Sequence, residues 1–443
     1  MSTSIVVFTR DLRTHDQPVL AEAVASSELV VPLFVLEDPG RALGLASVNR
    51  RAFLVDSLAD LDASLRRLGG GLFVRRGELV EQTMKVAAAA GATAVWITAD
   101  VSPFAAARRQ RLRSACARAR CAFEERPGTT VVPAHELCNR AGRPYQVFTS
   151  FLRAWRAAPR RLLVPQPRRL QVPEGLARGR LPGKPRAAVR GLPQGGESAG
   201  RAALRAWLDH GLARYEELRD DLGAAATSRL SPYLHFGCLS PVEVERAASS
   251  RPGGDAFVRQ LAWRDFFAHV LQVGAGLGPE PAWRDAPREL VAWQEGTTGY
   301  PIVDAAMRQL RAEGFMHNRA RMIVASFLTK DLLIDWRLGA AHFSNLLVDG
   351  DVASNIGNWR WVAGVGLDRR PRRVFNPVRQ AQRFDPQGRY IRRYVPELAG
   401  LPAALLHDPA KLSERRPRSY PPALVDHAEA VERFRARRPS RGA

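Results

Sequence analysis

The sequence predicts an α/β domain with a Rossmann-like parallel sheet, followed by an all-helical domain. In the first third of the chain, short runs of β-branched and aromatic residues alternate with helical patterns, which is typical of parallel strands joined by crossover helices. After residue 200 the apolar residues recur at helical spacing instead. The predicted organisation is a domain at 1–135, a linker at 136–200 and a domain at 201–443.

The α/β domain is predicted from its strand-like runs. These runs lie at 4–9, 29–36, 71–75 and 94–98. Helical patterns follow at about 50–68, 77–90 and 103–119, and each connection is long enough for a crossover between parallel strands. Neither a Walker motif nor a GxGxxG pattern stands where a strand meets a helix, so an ordinary nucleotide fingerprint is not expected.

The remaining chain divides into two kinds of sequence. Residues 159–200 are rich in Pro, Arg and Gly and keep no apolar period, which predicts a surface linker with solvated arginines. Beyond it, Ile302, Ala305, Ala306 and Leu310 repeat at helical spacing. This pattern predicts helices up to the end of the chain.

Composition limits the classes of partner and site. The formal net charge of +22 favours a polyanion such as nucleic acid, although an arginine-rich composition can also reflect a GC-rich genome. The four cysteines form no CxxC pair, so no metal site is predicted. No apolar run of about 18 residues predicts a membrane span. Since the N-terminus enters a strand pattern without an export-type segment, the protein is predicted to be cytoplasmic.

The stretch 349–361 carries the densest set of polar groups, with the sequence DGDVASNIGNWRW. A loop leading into a helix would bring Asp349, Asp351 and Asn355 together, since residues four apart share a helical face. Their carboxylates and amide can hydrogen-bond a ligand or arginines. The same residues would also fit a capped helix with two core tryptophans.

A second polar segment has the sequence TSRLSP at 227–232. Hydroxyls and backbone N–H groups before a helix suit a diphosphate, and Arg229 would add charge-assisted hydrogen bonds. A helix capped by Ser or Thr is the alternative explanation of this segment.

These two segments, with MHNRARM at 316–322, resemble the photolyase/cryptochrome family of FAD-containing blue-light proteins. The resemblance extends from RDLR at 10–13 to VFNP at 374–377 and YVPEL at 394–398. It implies light-driven repair of cyclobutane pyrimidine dimers by electron transfer from reduced FAD. It also implies that the partner is UV-damaged DNA and that the protein is a monomer without an obligate protein partner.

The resemblance also implies the residues that bind FAD. Asn355 matches the position that faces the reducible ring nitrogen, where photolyases have Asn, plant cryptochromes usually Asp and animal ones often Cys. This residue favours repair over signalling. The implied FAD-binding residues are Tyr215, Thr227, Ser228, Arg229, Leu230, Ser231, Phe257, Arg264, Arg321, Asp349, Asp351 and Asn355.

Three tryptophans match the electron relay of the family. They are Trp283, Trp336 and Trp359, in order from the surface inward to the flavin. A single buried tryptophan is ordinarily core packing, but all three stand at matching positions. The resemblance therefore implies a relay that reduces the flavin in light.

Four residues match the pocket for the flipped lesion: Trp263, Asn318, Met322 and Trp361. A thymine dimer pairs badly, so its extrusion from the duplex costs less than that of a normal pair. Six-four photolyases have histidines at the positions of Asn318 and Met322, which disfavours that class here. The residues that match DNA-phosphate contacts are Arg219, Arg319 and Arg373.

Gln260 is the main departure from the family pattern. Cyclobutane enzymes mostly have Glu in a Glu-Leu-x-Trp-Arg segment, whereas this chain has Gln260 before Leu261. Glutamine keeps the reach but supplies no carboxylic proton, so repair with an altered yield is predicted. A cryptochrome-like photoreceptor without repair activity stays an alternative. The predicted catalytic residues are Gln260, Asn318, Met322 and Asn355.

Arg50, Asp100 and Arg108 stand where deazaflavin-binding relatives hold an antenna chromophore. The first prediction for this antenna is 8-hydroxydeazaflavin and the second is methenyltetrahydrofolate. A protein without an antenna is the third alternative.

Overall fold

The computed structural model describes residues 2–37, 47–139, 141–186, 188–274, 280–367 and 372–436. It confirms the predicted fold class, with a parallel sheet followed by helices. The four predicted strands are present as β1 (Thr3–Phe8), β2 (Leu29–Leu36), β3 (Phe73–Arg76) and β4 (Ala94–Ala99).

A fifth strand, β5 (Ala122–Pro127), was not predicted. The sheet order is β3-β2-β1-β4-β5 and all neighbours are parallel. β5 lies at the sheet edge and carries two glutamates and an arginine, so it lacks the apolar run that identifies a buried strand. In contrast, every residue of the central strand β1 is buried.

Helices occupy most of the remaining described chain. They are α1 (Pro18–Ser26), α2 (Val48–Arg67), α3 (Leu79–Ala89), α4 (Pro103–Arg118), α5 (Phe148–Ala157), α6 (Glu197–His210), α7 (Tyr215–Leu218), α8 (Ser231–His235), α9 (Pro241–Ser249), α10 (Gly254–Gln272), α11 (Pro287–Glu295), α12 (Pro301–Glu313), α13 (Asn318–Ser326), α14 (Trp336–Leu346), α15 (Val352–Ala363), α16 (Pro377–Phe384), α17 (Arg389–Tyr394), α18 (Ala403–Leu406), α19 (Pro409–Ser413) and α20 (His427–Ala436). A π-helical turn, Phe327–Asp331, continues α13. None of the helices in the described ranges combines the length and apolar character needed to cross a bilayer.

The chain forms two compact units that do not follow the predicted boundaries one to one. The first unit contains the sheet, and the second contains most of the C-terminal helices. The predicted boundaries near residues 135 and 200 stay predictions. The first unit is Met1–Ala188, Pro193–Ala213 and Ser228–Gly274, and the second is Val189–Leu192, Arg214–Thr227 and Ala275–Ala443.

Each unit has its own apolar core. In the first, side chains of β1, β2 and β4 such as Ile5, Val31 and Val95 are fully buried under the crossover helices. In the second, α12 and α13 bury Met307 and Ile323 in one cluster with the aromatic residues of α11 and α15. The second core is therefore built around the helices that carry the polar motifs.

The prediction of solvated linker arginines is wrong for the first two of them. Arg161 makes a bidentate pair with Asp16, with N–O distances of 2.5 and 2.6 Å. Arg160 donates to the carbonyl oxygens of Trp155 and Ala158, both at 2.7 Å. Composition does not reveal such pairings, because Asp16 lies far from Arg161 along the chain and the carbonyl oxygens that Arg160 binds carry no sequence signal.

Candidate functional site

An open cavity in the second unit brings together seven of the predicted site residues. It encloses about 500 Å³ of empty space, part of which is open solvent. Its walls come from α13, α14, α15 and the segment between the last two helices. The lining residues are Asn318, Arg321, Met322, Ala325, Phe343, Leu347, Asp349, Gly350, Asp351, Ser354, Asn355, Asn358, Trp359 and Val362.

One face of α15 supplies the polar side of this cavity. Asp351 caps the helix, since its Oδ1 accepts a hydrogen bond of 2.8 Å from the Ser354 backbone N–H. Asn355 and Asn358 follow at offsets of four and seven residues, which places all three on one helical face. The capped-helix explanation is therefore correct for Asp351 and does not exclude the ligand-binding one.

The Asn355 amide has a defined orientation. Its Nδ2 donates to the Ala340 carbonyl oxygen at 3.0 Å and to the Ser344 hydroxyl at 2.9 Å. Because a carbonyl can only accept, the nitrogen must face Ala340, and both amide hydrogens are engaged. The Oδ1 is therefore the group that Asn355 offers to a ligand in the cavity. It can accept a hydrogen bond, and turning the amide to offer a donor instead would break the bond to the Ala340 carbonyl oxygen.

Arg321 and Asp349 form the principal ion pair of the cavity wall. Arg321 Nη2 lies 3.0 and 2.9 Å from the two carboxylate oxygens, and its Nε donates to the Met316 carbonyl oxygen at 2.8 Å. Asp349 is only 7% exposed. The pair holds the segment before α15 against α13, which keeps one wall of the cavity in place.

The three predicted relay tryptophans all lie in the second unit. Burial increases in the predicted order, from half-buried Trp283 to Trp336 at 5% and Trp359 at 2% exposure. The Trp283 Nε1 donates to Glu280 at 3.2 Å. The Trp359 indole N–H is buried without a hydrogen-bond partner among the described residues. Their role in electron transfer stays a prediction.

Gly339 lets α14 approach the Trp359 ring. A Cβ at this position would lie 2.2 Å from Trp359 Cη2 and 2.7 Å from Leu328 Cδ2, far inside van der Waals contact. Only a residue without a side chain therefore fits between these two groups.

Other predicted residues of the second unit are not among the described residues that line the cavity. Arg319 pairs with Asp220 at 2.9 Å, and its guanidinium lies 4.4 Å from the Phe384 ring centroid. Arg373 lies 4.6 Å from the Trp361 ring centroid. A DNA phosphate at Arg319 would have to compete with the Asp220 carboxylate. The remaining residues of this group are Tyr215, Arg219 and Thr227.

Helix α10 in the first unit carries Phe257, Gln260, Trp263 and Arg264. Arg264 donates to the carbonyl oxygens of Thr129 at 2.6 Å and Leu234 at 3.3 Å, so its guanidinium joins three segments of this unit. Gln260 and Trp263 are half-buried. These hydrogen bonds give Arg264 a structural role within the first unit. Its role in binding a cofactor stays a prediction.

The predicted phosphate-binding segment forms a turn that is held by a side-chain hydrogen bond. The Ser228 Oγ accepts a hydrogen bond of 3.3 Å from the Leu230 backbone N–H, and Arg229 has a φ of +49°. Ser231 begins the short helix α8. The N-cap of this helix is Leu230, which makes no side-chain hydrogen bond, so the alternative of a helix capped by Ser or Thr is wrong here, while diphosphate binding stays a prediction.

The predicted antenna residues lie near the carboxyl edge of the sheet, where open α/β sheets bind ligands. Asp100 follows β4 and pairs with Arg10 at 3.3 Å, and Arg108 pairs with Glu37, which follows β2, at 2.9 Å. Arg50 is 2% exposed on α2. The antenna and its identity stay predictions.

Sequence reasoning missed Ser354 and Asn358 as lining residues. Both lie on the α15 face of Asp351 and Asn355, so helical spacing within the stretch at 349–361 could have identified them. The apolar wall residues Phe343 and Leu347 gave no such signal, because they look like ordinary core positions of α14 and the segment after it. Among the described residues, no group of three metal-ligating side chains is present.

Comparison with known proteins gives the family. Residues 4–173 match the DNA photolyase family, and residues 257–439 match the FAD binding domain of DNA photolyase. The chain belongs to the photolyase/cryptochrome family. The sequence-based resemblance is thereby confirmed, and the cavity lies in the part that matches the FAD binding domain.

Individual members of the photolyase/cryptochrome family resemble the chain over nearly its full length. A deoxyribodipyrimidine photo-lyase of Streptomyces griseus is 48% identical, over 98% of each chain. A cryptochrome DASH of Natronomonas pharaonis is 38% identical, over 99% of each chain. A class III photolyase structure from Agrobacterium tumefaciens has a TM-score of 0.91 at 34% identity, covering 98% of this chain and 97% of that one.

The cavity residues fit the flavin part of FAD, the cofactor of the photolyase/cryptochrome family. A flavin needs apolar contact for its rings and hydrogen-bonding groups at its ring nitrogens and carbonyls. Phe343, Leu347 and Val362 supply the apolar contact. The anchored Asn355 amide supplies an acceptor, and the Asn358 and Ser354 side chains supply further polar groups on the same wall.

Proposed function

We propose that this protein is a deoxyribodipyrimidine photolyase that repairs cyclobutane pyrimidine dimers in DNA with light. The observation that carries the proposal is that Asn318, Met322 and Asn355 line the same cavity. Bound reduced FAD would supply one electron to the dimer after absorbing light. The proposal includes UV-damaged DNA as partner, a monomer without an obligate protein partner, and a cytoplasmic location.

Asn355 would hold the flavin edge through its amide oxygen. Because Ala340 and Ser344 fix the amide nitrogen, the oxygen can only accept a hydrogen bond, which favours a protonated ring nitrogen over a bare one. Arg321 and Asp349 would keep the wall of the cavity in place during binding. These contacts support a site that prefers the reduced form of its cofactor.

Asn318 and Met322 would contact the lesion. They lie four residues apart on α13, so they share one helical face, and both line the cavity. An amide offers polar contacts to the thymine edges, and a thioether adapts to an irregular apolar surface. Neither side chain can transfer a proton as histidine does, so the six-four class is disfavoured.

Illumination of the reduced protein with dimer-containing DNA tests the proposal. We expect light-dependent loss of dimers with the wild type and a changed yield with Gln260→Glu, measured by chromatography of the digested DNA. DNA carrying six-four lesions and samples kept in the dark are the controls. Loss of six-four lesions instead of dimers would assign the protein to the other repair class.

A blue-light photoreceptor without repair activity is the second candidate function. Gln260 favours it, because the residue lacks the carboxyl group usual for cyclobutane enzymes. If neither the wild type nor Gln260→Glu removes dimers in light while both hold flavin, the photoreceptor replaces the repair enzyme as our conclusion.

The tryptophan relay has its own test. We expect Trp283→Phe to slow light-driven reduction of the bound flavin, because phenylalanine is much harder to oxidise than the indole it replaces. Repair by protein reduced beforehand should be unchanged. Flavin absorbance during illumination measures the rate, and Trp207→Phe in the first unit is the matched control. Equal reduction rates of Trp283→Phe and wild type would exclude Trp283 from the relay.

A further inference from the structure

The Trp263 indole is fixed by a stack with Phe148. The two ring centroids lie 3.6 Å apart and the planes differ by only 8°, so Phe148 covers one face of the indole. Phe148 is the first residue of α5, and Trp263 lies in the middle of α10. Both belong to the first unit. The stack therefore joins two helices that are distant in sequence.

Further aromatic contacts restrict the indole from other sides. Phe266 meets the Trp263 ring edge-on at 5.6 Å and 82°, and Phe267 lies 5.6 Å away at 30°. Phe266 also contacts Phe148 edge-on at 5.7 Å. Trp263 is nevertheless half-buried, whereas Phe148 is only 8% exposed. The exposed part of the indole is thus held in one orientation by rings that are themselves mostly covered.

A fixed aromatic surface binds differently from a mobile one. Ordering a mobile side chain during association weakens binding, so an indole already held in place loses less when it meets its ligand. A mobile indole can also lie flat on planar bases, which is how single-stranded nucleic acid is bound without sequence preference. Holding the ring in one orientation therefore affects both affinity and selectivity.

We propose that Phe148 is a positioning residue for damaged DNA: it holds the Trp263 indole in the orientation that receives the non-planar dimer. The inference rests on the proposed function, since it takes Trp263 as a residue that contacts the lesion. Phe148 does not itself contact the lesion. It acts through the indole and thereby sets how strongly dimer-containing DNA is preferred over undamaged DNA.

The test compares binding in the dark for Phe148→Leu, Phe148→Tyr and wild type. Leucine fills much of the space but removes the flat ring, whereas tyrosine keeps the ring. We expect Phe148→Leu to weaken binding of a dimer-containing oligonucleotide about tenfold, because the Trp263 side chain would then become ordered only when the DNA binds. Binding of the undamaged oligonucleotide should stay the same, and Phe148→Tyr should restore wild-type affinity. Fluorescence anisotropy measures both affinities.

A double variant separates positioning from simple packing. In the Trp263→Ala background, Phe148→Leu should cause no further loss of affinity, because the residue that it positions is absent. A full additional loss there, or wild-type selectivity in Phe148→Leu, would overturn the inference. Near-ultraviolet circular dichroism, at the long wavelengths where only tryptophan absorbs, reports the indole environment and should change more in Phe148→Leu than in Phe148→Tyr. A wild type that does not prefer dimer-containing DNA would refute the proposed function itself.

Discussion

Replacing Arg321 with methionine should lower the free energy of unfolding by about 3–5 kcal/mol, the usual cost of removing one member of a buried ion pair. In this variant Asp349 loses the cation whose Nη2 lies within 3.0 Å of both carboxylate oxygens, and its side chain is only 4% exposed. Arg321→Lys should lose less, because an ammonium keeps the positive charge but loses the hydrogen bond that Arg321 Nε donates to the Met316 carbonyl oxygen. Urea unfolding followed by circular dichroism measures the difference.

The control for this prediction is the more exposed pair of Arg337 and Glu280. Arg337 is 49% exposed and lies 2.8 Å from the Glu280 carboxylate. Exposed pairs contribute little, so Arg337→Met should change stability by less than about 1 kcal/mol. The double variant Arg321→Met with Asp349→Asn should recover part of the loss, since position 349 then carries no buried charge. Equal stability of Arg321→Met and wild type would contradict a structural role for the pair.

His317→Asn should remove an acid-sensitive contribution to stability. His317 caps α13, with its Nδ1 accepting a hydrogen bond of 3.1 Å from the Arg319 backbone N–H. Burial lowers the pKa of this imidazole from 6.5 to about 4, with Arg319 and Arg321 acting in the same direction and Asp220 against it. Asparagine is itself a good helix cap, so the variant keeps the capping hydrogen bond. It loses only the imidazole that binds a proton at low pH.

The direction of the pH effect follows from which state binds the proton. In the unfolded chain the imidazole takes up a proton below pH 6.5, whereas the folded protein resists until about pH 4. The stability due to neutral His317 is therefore present above pH 6.5 and lost as the pH falls toward 4. Between pH 7 and pH 5 the wild type should lose about 2 kcal/mol more than His317→Asn.

Urea unfolding at pH 7 and pH 5 measures this difference. His342, whose pKa burial also lowers to about 4, is present in both proteins and cancels from the comparison. His210→Asn changes an exposed imidazole and serves as the control without an effect. Parallel pH curves for His317→Asn and wild type would mean that His317 titrates alike in the folded and unfolded chain.

The sequence predicts the central sheet because β1 and β2 are buried on both faces and are therefore continuously apolar. It does not predict β5, whose glutamates and arginine look like a loop. These residues form a strand because they pair with β4 at the edge of the sheet, and not because their own side chains favour a strand. The same limit applies to Arg161, whose partner Asp16 is brought close by the fold and is not a neighbour in sequence.

The sequence predicts the part of the candidate site whose residues are brought together by helical spacing. Asp351 and Asn355 are four residues apart, and the structure places both on the cavity wall. The orientation of the Asn355 amide could not be predicted, because its anchors Ala340 and Ser344 lie on another helix. The stack of Phe148 on Trp263 was equally hidden, since a contact between residues so distant in sequence leaves no periodic signal.

Gly339 has no side chain, yet it determines how closely α14 can approach the Trp359 ring. Any methyl group added there must push the Trp359 ring or separate the two helices, because Cη2 would lie only 2.2 Å away. The ring can therefore occupy its place only because position 339 carries no side chain. A substitution at this glycine would alter the proposed electron relay while leaving every aromatic residue unchanged.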